Sequence, residues 1–267
     1  MTSGTTLRAP HSTTSPPRFE GKVALITGGT RGIGRAIATM FAREGAAVAV
    51  NYLRRRGPAD EAVEFFRSLG AKALAVRADV RDRDKVRDMV AQVVSELGGV
   101  DYAISNAASG SNKPALELEP AGWDWTLNIN SRALLFLAQE TVPTMRERGG
   151  GRIVSISSIG VGRVLPDYTS VGVSKAALEA LTRYLAVELA PEGITVNCVS
   201  GGVVETEALE HFARGEQMIA AGRERTPAGR LVTPEDIAAT VGFLCSPEAA
   251  MIIGQTITVD GGYSLPA

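Results

Sequence analysis

The chain has 267 residues, 45% of them apolar, and a formal net charge of −1. That size suits one large domain with a substantial core, and the near-neutral balance offers no global field to nucleic acid or an anionic membrane. No run of about 18 apolar residues is present, so no membrane span is expected.

The first 18 residues, MTSGTTLRAPHSTTSPPR, are rich in Ser, Thr and Pro and lack the apolar stretch of a secretory signal. They are expected to form a disordered tail, with one domain over 19–267. KVALIT (22–27) reads as a buried strand ended by glycines. GIGRAIATMFAREG (32–45) has helical spacing, with Ile33, Ile37, Met40 and Phe41 on one side and Gly45 as a stop. AVAVNY (47–52) is a second strand, 58–69 a helix closed by Gly70, and KALAVRADV (72–80) a third strand. A charged amphipathic helix over 82–97 precedes the fourth strand, VDYAISN (100–106). Residues 123–148 read as mostly helical with a kink at Pro143, followed by RIVSIS (152–157) as the fifth strand. Then come a helix over 172–190, the strand ITVNCVS (194–199), a helix over 234–245 and a last strand, QTITVD (255–260). The polar stretch 203–232 has no clean period and is expected to be a mobile segment over the site.

Continuous apolar strands alternating with helices predict a doubly wound α/β domain, a parallel sheet of about seven strands with helices on both faces. Cys198 and Cys245 lie far apart without metal-ligand spacing and read as reduced, buried thiols of a cytoplasmic protein. His11 lies in the tail and His211 stands alone, so a histidine metal site or a Ser-His-Asp triad has little material, and no metal is expected.

TGGTRGIG (27–34) sits between the first strand and the first helix. Glycines there permit a tight turn and close backbone approach to a pyrophosphate, and the helix N-terminus offers unpaired N–H groups. Gly28, Thr30, Arg31, Gly32 and Ile33 are the candidate contacts. A dinucleotide with a free ribose 2′-hydroxyl ordinarily meets an acidic side chain at the end of the second strand. Here that end reads NYLRRRG, with Leu53, Arg54, Arg55 and Arg56 and no Asp or Glu from 47 to 59. Guanidinium groups bind a 2′-phosphate, so NADPH is expected over NADH.

Over residues 20–263 the chain resembles the short-chain dehydrogenase/reductase family, with its Rossmann-type fold. The resemblance rests on TGGTRGIG, Asp79-Val80, Asn106-Ala107, Asn130 in NIN, Ser158 in SISS, Lys175 in SKAAL and the terminal VDGG. It implies that Asp79 and Val80 flank the adenine, that Asn106 backs the cofactor, and that Lys175 binds the nicotinamide ribose and lowers the pKa of a nearby tyrosine. Asn130 is implied to support a helix distortion or a bound water. Ordinary members place a tyrosine four residues before the lysine and thirteen after the serine; both counts land on Val171. Ala108 stands where glycine is usual, and Gly201-Gly202 replaces Pro-Gly.

The nearest tyrosine, Tyr168, lies seven residues before Lys175, the spacing found in enoyl-acyl-carrier-protein reductases. Seven residues are nearly two helical turns, so both side chains can face one cleft if the helix starts early enough. A ketoreductase protonates the oxygen on the carbon that receives hydride. In an enoyl reductase the charge develops on the thioester oxygen, two carbons away, and a donor displaced by about one 5 Å turn suits it. NAASG, WDWTLNIN, ALLFLAQE, YTSVGVSKAALEALTRYLAVEL, VNCVSGG and TPAGR together resemble the NADPH-dependent enoyl reductase III type.

On this resemblance Tyr168 stabilises the enolate, Lys175 holds the ribose, and Ser158 lies near the substrate, an acyl thioester of acyl carrier protein or coenzyme A. Trp123, Trp125 and Phe136 are expected to pack a subunit interface, and the family implies a homotetramer. Arg214, Arg223, Arg225 and Arg230 are open to a carrier protein or to solvent. Three functions stay open: enoyl-thioester reduction in fatty-acid or related acyl-chain assembly, reduction of a carbonyl, and cofactor binding without catalysis.

Overall fold

A computed structural model describes residues 17–204 and 215–265. The tail through residue 16 with His11, and 205–214 with His211 and Arg214, lie outside the described residues. Strands β1 (Val23–Ile26), β2 (Ala47–Tyr52), β3 (Ala73–Arg77), β4 (Tyr102–Ser105), β5 (Gly151–Ser158), β6 (Ile194–Gly201) and β7 (Thr256–Val259) form one sheet in the order β3-β2-β1-β4-β5-β6-β7. Every neighbouring pair is parallel. The central strands are unbroken runs of buried residues because helices cover both faces and leave no wet side for alternation.

One face buries Ile37 and Phe41 of α1 (Gly32–Arg43), Ala62 and Phe66 of α2 (Arg56–Ser68) and Ile237 of a C-terminal helix, Pro234–Cys245. The other buries Val86 and Met89 of α3 (Arg83–Leu97), Leu134 and Leu137 of α5 (Ala133–Glu147), and Leu178 and Leu185 of α6 (Thr169–Leu189). Phe19 enters the first core, with its ring centroid 5.0 Å from Phe41 and 5.2 Å from Tyr102. Arg18 pairs with Glu44 at 2.5 Å, so the folded body starts before residue 19.

From β1 the chain winds outward through β2 and β3, then returns to β4 and winds the other way. The carboxyl ends of β1 and β4 therefore flank the crevice where doubly wound sheets bind ligands.

Three local readings change. The helical stretch over 123–148 is α4 (Pro120–Leu127), a π-turn (Asn128–Arg132) and α5. Pro143 sits inside α5, and the interruption falls at buried Asn130, whose Oδ1 accepts from Ser109 N at 3.0 Å and whose Nδ2 donates to Ser174 Oγ at 2.8 Å. Second, α6 begins at Thr169, with Tyr168 as its N-cap residue, rather than at 172. Third, the segment 203–232 contains a helix, α7 (Gly215–Arg225), and a parallel bridge between Val204 and Val232. A Cβ on Gly222 would lie 2.7 Å from Leu231 Cδ2 and 3.2 Å from Val203 Cβ, so α7 packs through a missing side chain, which hydrophobic periodicity does not register. The C-terminal helix is α8.

Candidate active site

The glycine loop closes on the end of β4. Gly28 has φ +64°, and a Cβ there would lie 3.1 Å from Ala107 Cα. A Cβ on Gly34 would lie 2.4 Å from the Gly28 carbonyl oxygen. Asn106 Nδ2 donates to the carbonyls of Thr27 at 2.9 Å and Gly28 at 3.2 Å. Thr27 Oγ1 accepts from the backbone N–H of Asn106 at 2.9 Å and of Ala107 at 3.0 Å. Arg31 is the N-cap residue of α1 and makes no side-chain cap, and the first turn carries no acidic residue. A loop that only glycines can form, aimed at an uncapped helix N-terminus, fits the pyrophosphate of a dinucleotide. Thr30, Gly32 and Ile33 lie on this same turn.

Asn51 ends the buried part of β2. Its Oδ1 accepts from Gly28 N at 3.4 Å and its Nδ2 donates to Ala78 O at 2.9 Å, tying the glycine loop to the end of β3. Leu53, Arg54 and Arg55 follow, with both arginines exposed. Asp79 holds Arg81 through contacts of 2.9 and 2.5 Å. That guanidinium keeps the Asp79 carboxyl below its ordinary range against the opposing effect of burial, and Arg54 adds a smaller pull the same way. Val80 is buried beside it. Arg54 and Asp79 thus share one end of the crevice, and no acidic side chain stands at the end of β2.

Tyr168 and Lys175 both reach the carboxyl end of β5. The Tyr168 hydroxyl shares a hydrogen bond with the Ser158 side chain. Burial raises its pKa, and the Ser158 bond pulls the other way. Lys175 is only 5% exposed, and its Nζ donates to Ile156 O at 2.6 Å. Burial pushes its pKa down to about 8, against opposing pulls from Cys198 and Glu179. The structure puts Tyr168 on Ser158 and Lys175 on the Ile156 carbonyl of the same strand, and what acts on the phenol is burial and Ser158, not the ammonium expected to lower its pKa.

Val171, at the position where the family's tyrosine is expected, is buried with its Cγ2 against Gly110, where a Cβ would lie 2.1 Å away. The loop after β4 is stapled over this region: Ser111 N donates to Thr126 Oγ1 at 3.2 Å, and Ser170 Oγ donates to Ser111 O at 2.7 Å.

A cavity of about 330 Å³ opens beside the phenol, lined by Gly160, Arg163, Leu165, Tyr168, Gly172 and Val173 among others. A larger hollow of about 650 Å³ is lined by Arg18, Arg35, Phe65 and Glu235 and holds none of Ser158, Tyr168 and Lys175. Chemistry rather than size therefore identifies the site. Arg230, which was open to a carrier protein, is held by Asp236 at 2.6 and 2.8 Å. Cys198 and Cys245 are free and buried, their thiols pushed up to about 11 and about 12 by burial.

Sequence reasoning missed Asn51, whose signal was one polar residue in the apolar run AVAVNY, and the glycines at 110 and 160, which carried none.

A family model described as enoyl-(acyl carrier protein) reductase matches residues 28–264. The chain is 39% identical over 263 residues to 1-cyclohexenylcarbonyl-CoA reductase of Streptomyces collinus, covering 98% of this chain and 92% of that one. It is 36% identical over 244 residues to a 3-oxoacyl-(acyl-carrier-protein) reductase of Staphylococcus epidermidis, covering 90% and 98% of the two chains. Among solved structures, a 7α-hydroxysteroid dehydrogenase complexed with NADH and 7-oxo glycochenodeoxycholic acid superposes with a TM-score of 0.88 at 35% identity, covering 92% and 96%.

Proposed function

The chain belongs to the short-chain dehydrogenase/reductase family, and from that premise we propose that it reduces the conjugated double bond of trans-2-enoyl thioesters with NADPH. The observation that carries this reading is the exchange of side chains one turn apart on α6: valine at 171, and the phenol at 168 on Ser158. The similarity to a reductase whose name denotes a conjugated enoyl thioester of coenzyme A supports it.

The dinucleotide would be held by the loop of Gly28, Thr30, Arg31, Gly32 and Ile33, by Asn106, and by Asp79 and Val80 at the adenine end. When bound, it supplies the hydride that the β-carbon of the enoyl group receives. Arg54 and Arg55 are positioned to favour a 2′-phosphate, with no carboxylate at the end of β2 to repel it. Lys175, whose ammonium donates to the Ile156 carbonyl, would hold the ribose hydroxyls. Tyr168, kept protonated by burial, donates to the thioester oxygen as charge builds there. A phenol with a raised pKa suits this role of neutral donor. Ser158 holds the hydroxyl in place. Val173, Tyr184 and Val187 present apolar surface outward from α6, which supports a homotetramer. No helix among the described residues is long and apolar enough to cross a membrane.

A second reading, reduction of 3-oxoacyl thioesters, is favoured by the Ser158–Tyr168 bond and by the similarity to a 3-oxoacyl reductase. NADPH consumption with crotonyl-CoA and with acetoacetyl-CoA separates the two. Faster turnover of the enoyl substrate supports the proposal; turnover of the 3-oxo substrate alone replaces it with ketoreduction.

A further inference from the structure

Gly160 touches each part of the Tyr168 arrangement. Its N–H donates to Ser158 Oγ at 3.1 Å, within a 3₁₀ turn (Ile159–Val161) that Ser158 caps. A Cβ on Gly160 would lie 2.5 Å from Tyr168 Cε1 and 2.8 Å from Cδ1, distances that side-chain carbons do not tolerate without movement. The Gly160 carbonyl oxygen in turn lies 3.1 Å from where a Cβ on Gly172 would sit, so the first turn of α6 rides directly on this residue. Gly160 has no positive φ among the glycines that do, so its backbone does not require glycine. The close approach of the phenol ring does.

The counterpart lies one turn along α6. Gly110 lacks the Cβ that would collide with Val171 Cγ2, and Val171 fills the space beneath the loop after β4. Two side-chain seats therefore lie one turn apart, one at 168 opened by Gly160 beside the end of β5 and one at 171, filled by valine beneath the loop after β4. We propose that Gly160 is the positioning residue that seats the displaced tyrosine, fixing its hydroxyl on Ser158, and that with Gly110 and Val171 it determines which turn of α6 presents the phenol to substrate. The part concerning substrate rests on the function proposed above; the contact between Gly160 and Tyr168 does not.

The test is a double-mutant cycle of Gly160→Ala and Tyr168→Ala, read in two ways. Thermal unfolding does not depend on substrate. Gly160→Ala is expected to lower the melting midpoint by several degrees when Tyr168 is present, and to cost much less in the Tyr168→Ala background, where the added methyl has space. Equal shifts in both backgrounds would overturn the contact. If Gly160→Ala does not fold alone, recovery of a folded, NADPH-binding protein in the double variant supports the proposal, and failure to recover overturns it.

The second reading is steady-state kinetics with whichever thioester the wild type reduces. Gly160→Ala is expected to lower kcat by about 10-fold or more with NADPH affinity kept, and to add little to the loss already caused by Tyr168→Phe. Full kcat in Gly160→Ala, or a loss that multiplies with that of Tyr168→Phe, would overturn the positioning role. If no thioester turns over, the proposed function fails while the unfolding cycle still decides the contact.

Discussion

At the scale of single residues the account turns on atoms that leave no room. A Cβ at Gly34 would lie 2.4 Å from the Gly28 carbonyl, against the turn proposed to meet the phosphates. Gly34→Ala is therefore expected to weaken NADPH binding by about 10-fold or more, measured by fluorescence titration, with a smaller effect on the melting midpoint. Asp167 is the non-glycine residue with positive φ among the described residues, at +58°, and it turns the chain into Tyr168. Asp167→Val is expected to cost about 1–2 kcal/mol more than Asp167→Gly in denaturant unfolding, because both lose the carboxylate and the left-handed region penalises only the branched side chain. Much of this scale was legible: the glycine loop, Asn106, Ser158, Tyr168 and Lys175 stand in the sequence at readable spacings. What was not legible is packing. Nothing in the string SISSIGV says that the glycine lies under a phenol, and nothing in NAASG says that its glycine lies over Val171.

At the scale of elements, the strands followed from unbroken apolar runs, and the errors fell where a polar contact or a missing side chain overrode periodicity. The break at Asn128–Arg132, the helix distortion that the family resemblance implied for Asn130, comes from Asn130 satisfying Ser109 and Ser174 in the interior, a tertiary demand that local spacing alone cannot show. The early start of α6 hangs on the turn at Asp167. Helix α8 begins with a capping box in which Thr233 Oγ1 accepts from Asp236 N and Asp236 Oδ2 accepts from Thr233 N, while Arg230 pairs with the same carboxylate. Asp236→Ala is expected to cost about 1–2 kcal/mol. The Arg230 guanidinium holds the Asp236 carboxyl well below its ordinary value. A carboxyl with a depressed folded pKa stabilises the fold above its unfolded value, and that contribution is lost as pH falls through the folded one. Wild type and Asp236→Ala should therefore converge in stability under strong acid; a gap that persists there would contradict the cap.

At the scale of the whole molecule, a buried lysine that the fold must tolerate marks the site. Its pKa drops from 10.5 to about 8, a cost of about 3 kcal/mol at neutral pH. The unfolded chain holds this proton between about pH 8 and 10.5 where the folded one releases it, so this contribution makes stability rise with pH across that window. Lys175→Met should consequently be more stable than wild type at pH 7, with the difference shrinking by pH 9 in urea unfolding. An advantage that does not change with pH would show that the ammonium is not desolvated. The buried cysteines act in the opposite direction above pH 9; Cys245 does so alike in both proteins, whereas Cys198 interacts with Lys175, so the comparison is read between pH 7 and 9. A site that costs stability in this way is consistent with binding a cofactor that restores it. The central claim is that the phenol at 168, one turn from the family's ordinary position, serves an enoyl thioester. The most direct measurement is kcat for NADPH oxidation with a trans-2-enoyl thioester, for wild type and Tyr168→Phe. The account expects a loss of about 100-fold or more with NADPH affinity unchanged, the cost of removing one preorganised donor; an unchanged kcat would contradict it.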